Sequence, residues 1–204
     1  MRRLQYADGV QAPLCQIRWA TPAGELVAIE PRPDEVERHA AALAAAYNDP
    51  HNAPLLGHTA EVDPEDVVEH YADIAESGGH NFLVLLDGAL LADGDLRKVR
   101  GGAAEFAFMV ASPAAQGKGL GTRIATMIHA FGFRRLGLHR IYASVIPDNA
   151  ASRRVFDKLG YAVDDSPGAR SYADEPGDVV MAIDRAAFEH RHAEAMAEIE
   201  IAVR

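Results

Sequence analysis

The sequence predicts a single α/β domain, on three observations. Apolar blocks at Phe82 to Leu86, Ala89 to Leu96 and Glu105 to Val110 are separated by Asp87-Gly88 and Gly101-Gly102, the pattern of an antiparallel meander. The last block runs into the glycine-rich Gln116 to Thr122, and the helical spacing Leu120, Ile124, Met127, Ile128, Phe131 follows. Beyond it, apolar runs at Ile141 to Val145, Tyr161 to Val163 and Val179 to Ile183 alternate with a short helix that ends at Gly160. At 204 residues, 49% hydrophobic and 25% charged, the chain has the size and composition of one globular domain, which buries roughly 70% of its unfolded surface.

Taken in order, residues 1–26 read as an N-terminal extension with a strand at Leu14 to Trp19, and 27–183 as the main domain. Leu26 to Ile29, before Pro31 and Pro33, reads as its first core strand, and Asp34 to Tyr47 carries helical periodicity until Asn48-Asp49-Pro50 breaks it. Asp63 is an N-cap with Pro64 in the first turn of a helix reaching Gly78-Gly79. The glycine-rich turn opens a helix over 120–136, followed by a strand at 140–145. Residues 184–204, with Phe188, Met196 and Ile199 among charges, read as one amphipathic helix packed on the domain or joining a homodimer.

Composition narrows the function classes. A formal net charge of −10 opposes binding to a nucleic-acid backbone, which needs clustered cations. No apolar stretch has the length of a membrane span, so no membrane partner is expected. A single cysteine, Cys15, permits no intrachain disulfide and is compatible with a reducing cytoplasmic setting. The histidines and acids contain no H-E-x-x-H or paired-cysteine spacing, so no metal is expected. With no G-x-S-x-G elbow and Cys15 remote from the glycine turn, no acyl-enzyme route is expected either.

The turn carries the chemistry. Glycines let a backbone bend tightly, and the first amides of a helix lack intrahelical acceptors and sit at the positive end of its dipole. A phosphate is the natural ligand of such a cradle. Glycines at 117, 119 and 121 do not make G-x-G-x-x-G, and no Gly-Lys-Ser/Thr follows, so neither a dinucleotide fingerprint nor a P-loop is present.

The remaining pattern, Q-x-x-G-x-G at Gln116 to Gly121, together with Asn149-Ala150-Ala151-Ser152 running to Asp157-Lys158-Leu159-Gly160-Tyr161, resembles the two signatures of the GNAT superfamily of N-acetyltransferases. The resemblance spans 104–162 and implies a mixed, mostly antiparallel sheet flanked by helices, with acetyl-CoA as acyl donor. It implies that Gln116, Gly117, Lys118, Gly119, Leu120, Gly121 and Thr122 surround the CoA pyrophosphate, the amides mattering more than the side chains of Lys118 and Arg123. It also implies that Asn149 meets the pantetheine arm, with Ser152 and Phe156 near the thiol and the backbone of Met109 or Val110 near the thioester oxygen.

An amine such as lysine, with a pKa near about 10.4, must lose a proton before it attacks a thioester. Glu105, eleven residues before Gln116, resembles the base of histone-acetylating members. Many relatives carry a tyrosine seven residues after the asparagine to protonate the leaving thiolate. Phe156 stands there, leaving Ser152, Tyr161, Tyr142 or solvent. Ser144 departs from members that carry a base glutamate five residues before the asparagine. The acids Glu30, Asp34, Glu35, Glu37, Asp49, Glu61, Asp63, Glu65, Asp66 and Glu69 motivate a cationic acceptor, a small-molecule or protein amine. The expected function is direct acetyl transfer in a ternary complex. The alternatives are a non-catalytic acyl-CoA sensor and an enzyme using a longer acyl group.

Overall fold

Residues 14–57, 60–112 and 115–204 of the computed structural model are described. The chain forms β1 (Cys15–Thr21), β2 (Gly24–Ile29), α1 (Pro33–Tyr47), α2 (Ala53–Leu56), α3 (Pro64–Glu76), β3 (His80–Leu86), β4 (Ala89–Arg100), β5 (Ala103–Val110) and α4 (Leu120–Arg134). It continues through β6 (Arg140–Val145), α5 (Ala150–Leu159), β7 (Ala162–Val163), α6 (Pro167–Arg170), β8 (Val179–Asp184), α7 (Arg185–Arg191), α8 (Ala193–Glu198) and β9 (Glu200–Val203). The strands make one sheet in the order β7-β8-β6-β5-β4-β3-β2-β1-β9. Among the described residues its one parallel pair is β5 with β6, so the sheet is mixed and mostly antiparallel.

Local chemistry accounts for most element boundaries. Asp63 and Asp66 exchange side-chain to backbone bonds at the start of α3, satisfying two helix-end donors at once. The β3–β4 hairpin turns on Asp87 (φ 49°) and Gly88 (φ 83°), the paired left-handed geometry of a tight hairpin. Asn149 caps α5 by accepting from the Ser152 amide, and Gly160 ends it at φ 97°.

Each face of the sheet is covered by its own apolar cluster. Val36, Ala40 and Leu43 of α1 and Val67 and Tyr71 of α3 pack on Leu83 and Met109. On the opposite face Ile124, Met127, Ile128 and Phe131 of α4 join Phe82, Leu96, Phe106, Phe156 and Phe188. Successive residues of a strand point to opposite faces, so Phe106 lies with α4 while Met109 lies with α1 and α3.

Both ends of the chain differ from the sequence expectation. Residues 1–13 lie outside the described residues, but the remainder of the 1–26 segment is no appendage, because β1 sits inside the sheet between β2 and β9. Its alternation explains this: Cys15 and Ile17 are buried, and Ile17 pairs with Ala28 and Ile201. The 184–204 tail is not one helix, since a break at His192 separates α7 from α8 and Ile201-Ala202-Val203 completes β9. An alternating, β-branched terminus prefers a free sheet edge to another helical turn. No helix among the described residues is long and apolar enough to cross a membrane.

Candidate active site

The site starts from a gap in the sheet. β5 pairs with β6 only through Ala103 to Glu105 against Arg140 to Tyr142, whereas β5 stays paired with β4 as far as Val110. Beyond Glu105 the parallel strands part, leaving the β6 side of Phe106 to Val110 without a ladder partner. A cavity of about 360 Å³ lies there, reached by β5, α2, the glycine turn and α5.

Gly119 is the N-cap of α4 at φ 77°, and Gly117 is at φ 74°. The backbone therefore curls through left-handed geometry into the helix, and Gly119 has no side chain to satisfy the first amides of α4. Gly117, Gly119, Gly121 and Thr122 line the cavity. Gln116 staples the turn: its Nε2 donates to Asn52 Oδ1 at 2.9 Å, and its Oε1 lies 3.0 Å from His51 Nε2. Asn52 in turn donates to the Ala46 carbonyl at 3.0 Å, tying the turn to the end of α1.

Helix α5 closes the other wall. Ala151, Arg154, Val155 and Lys158 share one helical face toward the cavity, with Ser152 and Asn149 at its mouth. Asn149 Nδ2 also donates to the Leu55 carbonyl at 2.8 Å, so one side chain caps α5 and anchors α2. Replacing it with alanine is expected to cost about 1 kcal/mol of stability through the lost cap and to weaken cofactor binding; urea unfolding and titration calorimetry check both.

The cavity thus gathers Met109, Val110, Gln116, Gly117, Gly119, Gly121, Thr122, Asn149 and Ser152 from the expected set. Lys118, Leu120 and Phe156 are outside its lining: Lys118 is exposed, while Leu120 and Phe156 turn into the core by helical phase. The Phe156 ring packs against Phe106, Phe108 and Tyr161. Tyr161 is buried in the same core, outside the cavity. His129 Nδ1 sits 2.7 Å from the Ala125 carbonyl, which fixes the proton on that nitrogen and leaves Nε2 to accept from the Tyr161 hydroxyl. Burial lowers the His129 pKa to about 3 and raises that of Tyr161, so this pair stays neutral.

Glu105 is fully buried and also outside the cavity lining. Its Oε1 meets Arg97 Nη2 at 3.0 Å and its Oε2 meets Lys98 Nζ at 2.7 Å. Burial raises its pKa, with Arg97 opposing. Lys98 reaches this position from a left-handed backbone (φ 51°) where the β4–β5 register slips between Arg97 and Arg100.

Arg154 and Lys158 are the cations at the cavity wall, which sequence reasoning missed. Their i, i+4 spacing on the helix that follows Asn149 is the signal that was available. Several of the acids behind the cationic-acceptor guess are occupied structurally. Glu30 pairs with His80, Glu35 with Arg204, and Asp63 and Asp66 with their own helix start.

A mixed sheet parted between two parallel strands, with a glycine-led helix start at the parting, is the acetyltransferase type of α/β fold. Residues 32–162 match the family model described as "Acetyltransferase (GNAT) domain". The chain belongs to the GNAT acetyltransferase family. Spermidine N(1)-acetyltransferase of Escherichia coli K12 is 39% identical over 61 residues, 30% of this chain and 32% of that protein. The match therefore spans about a third of that relative's length. The probable N-acetyltransferase YjcK of Bacillus subtilis is 29% identical over 108 residues, 51% of this chain and 60% of that protein. Among solved structures, Mycobacterium smegmatis RimJ in complex with CoA-disulfide superposes with a TM-score of 0.70 at 22% identity, covering 91% of this chain and 96% of RimJ. Aminoglycoside acetyltransferase AAC(6')-Ib with coenzyme A gives a TM-score of 0.65 at 19% identity, covering 86% of this chain and 98% of that one.

Proposed function

We propose that this protein moves an acetyl group from acetyl-CoA to a primary amine by direct attack in a ternary complex. The observation that carries the reading is the coincidence, in one cavity, of the β5–β6 parting with the unsatisfied amides at the start of α4. In this reading the amides of Gly119 to Thr122 hold the pyrophosphate, helped by Arg154 and Lys158. The pantetheine arm then threads past Asn149 and replaces the missing ladder along Phe106 to Val110. A main-chain amide near Met109 or Val110 faces the thioester oxygen, where one such donor is worth about 100 to 1000-fold in rate. The names of the relatives, acetyltransferases of spermidine and of aminoglycosides, support an amine acceptor.

Glu105 enters this mechanism as a positioning group, because its two carboxylate oxygens are taken by Arg97 and Lys98. Glu105→Gln is expected to lower kcat by less than about tenfold and to leave acetyl-CoA affinity unchanged, since loss of a true proton acceptor costs about 100 to 10,000-fold. Steady-state kinetics from pH 6 to 9 separate the two roles.

The reading as a whole is tested by titrating acetyl-CoA and following thiol release with a panel of amines. Acetyl-, propionyl- and succinyl-CoA in parallel establish the acyl preference. Tight binding with no turnover for any amine identifies the sensor alternative, which the burial of Phe156 and the engaged Tyr161 hydroxyl favour by leaving only the aliphatic hydroxyls of Thr122 and Ser152 among the cavity-lining residues.

A further inference from the structure

Every polar side-chain atom of Gln116 and Asn149 already has a partner within the protein, and on both residues a partner belongs to α2 or its N-cap. Gln116 Nε2 donates to Asn52 Oδ1 at 2.9 Å, and its Oε1 lies 3.0 Å from His51 Nε2, just before the first residue of α2. Asn149 Oδ1 accepts from the Ser152 amide, and its Nδ2 donates to the Leu55 carbonyl at 2.8 Å, near the last residue of α2. One tie comes from the glycine turn and the other from the start of α5, which are opposite walls of the cavity. α2 therefore bridges the cavity and is pinned at both ends.

These ties decide where α2 lies. A helix of four residues has no stability of its own, so its position is whatever the surrounding bonds impose. Asn48 adds a third tie at the neck of the segment, donating to the Val62 carbonyl at 2.6 Å and accepting from the Val62 amide at 2.9 Å.

What α2 offers to the cavity is apolar. Leu55 and Leu56 both line it, beside Met109 and Val110 of β5 past the point where β6 parts away. Leu56 packs at the margin of the α1/α3 cluster that contains Met109. Leu55 is half-buried and belongs to neither apolar cluster of the described residues. A leucine held against a cavity without a core to pack in gains from an apolar group that covers it. Arg154 and Lys158 stand five and nine residues along α5 from Asn149, about 8 and 13 Å further on. A thioester whose phosphates meet those cations and the glycine turn therefore points its other end, the acyl group, toward Asn149 and Leu55.

We propose that α2 is the ruler for the acyl group: Leu55 and Leu56 close the apolar end of the cavity and set how long an acyl chain the bound thioester can carry. Gln116 and Asn149 are then positioning residues that fix this wall, not ligands of the cofactor. The proposal rests on the acetyltransferase reading and deepens it. Added methylenes need room that the pinned leucines occupy, and a wall that cannot move turns that demand into strain. The Asn149 tie has a carbonyl as its acceptor, so only a donor can hold it. Asn149→Asp keeps the oxygen that caps α5 and sets a carboxylate against the Leu55 carbonyl, which frees α2 without uncapping the helix.

The test titrates the full chain with acetyl-CoA and butyryl-CoA by calorimetry and follows thiol release from each with the same panel of amines. The wild type is expected to favour acetyl-CoA by about tenfold or more in affinity and in kcat/KM. Leu55→Ala and Leu56→Ala should each narrow that ratio by several-fold, while CoA, which has no acyl group, binds as it does to the wild type. Asn149→Asp, and Asn52→Ala at the other end of α2, should narrow the ratio in the same direction. A residue that only gripped the cofactor would instead weaken both thioesters equally and leave the ratio where it was. If Leu56→Ala fails to fold because it also borders the core, Leu55→Ala carries the test. A wild type that uses both thioesters equally, or a ratio unmoved in the leucine variants, overturns the ruler. A ratio that moves in the leucine variants but not in Asn149→Asp overturns the positioning role of Asn149. Length-dependent binding that relaxes in Leu55→Ala, with no thiol release for any amine, upholds the ruler and removes the transferase reading. Thiol release with an unmoved ratio does the reverse.

Discussion

Gly119→Val is expected to weaken acetyl-CoA binding by at least about 100-fold, equivalent to about 2.7 kcal/mol, while the protein still folds. Two physical effects add. Gly119 sits at φ 77°, where a β-branched residue is a steric outlier costing about 1–3 kcal/mol. The chain relieves that cost by rotating the peptide planes whose amides form the cradle. The valine methyls also enter the space a pyrophosphate needs. The substitution is not expected to clash with the empty protein, because a Cβ at Gly119 meets only the end of the Arg123 side chain, at 3.7 Å. Calorimetric titration of acetyl-CoA, with a thermal melt of each variant, separates lost binding from lost folding. Gly117→Ala serves as a graded control, since φ there is 74° and nothing lies within 4 Å of the added Cβ. Unchanged affinity in Gly119→Val would put the cofactor elsewhere.

Asp95→Asn is expected to stabilise the unliganded protein at neutral and alkaline pH and to leave it nearly unchanged near pH 4. The folded-state pKa of Asp95, about 7, lies above its unfolded value of about 3.9. A carboxyl with a raised pKa supports folding fully below the unfolded value and loses that support as pH rises through the folded one. At low pH the protonated acid and the amide are near-isosteric. By pH 8 the wild type carries a buried charge that the variant lacks, a difference on the order of 4 kcal/mol. Asp93, raised to about 6, acts in the same direction in both proteins. His129 acts oppositely: with its pKa lowered to about 3, the folded state gains stability as pH rises toward the unfolded value of about 6.5. The wild-type melting curve alone therefore blends opposing contributions, and the difference between variant and wild type at pH 4, 6 and 8 is the clean measurement. A constant difference would mean that Asp95 titrates alike in the folded and unfolded protein.

The buried carboxylates of β4 were harder to read than the glycine-rich turn. The glycine-rich turn, the Asp63 N-cap and the Asp87-Gly88 hairpin each depend on residues within a few positions of one another, so spacing alone identifies them. Asp93 and Asp95 did leave a signal, two acids in the middle of the apolar run Ala89 to Leu96, but that signal names no partner. Glu105 illustrates the same limit. Its offset from Gln116 is sequence information, whereas its clamp by Arg97 and Lys98 depends on a β4–β5 register slip and on a loop that brings Asp174 from across the chain.

By itself the sequence determined the order of the main strands and helices from residue 26 to 183 (without the short α2 and α6), the glycine-led start of α4 and the family. These rest on short-range propensities, caps and glycine geometry, which act wherever the chain lies. Only the tertiary structure decided that β1 and β9 extend the sheet, that β5 and β6 part after Glu105, and that Asp93 faces Met109. Those are matters of register between distant segments, set by which apolar faces must be buried together, and a one-residue slip would turn every one of those side chains to the other face.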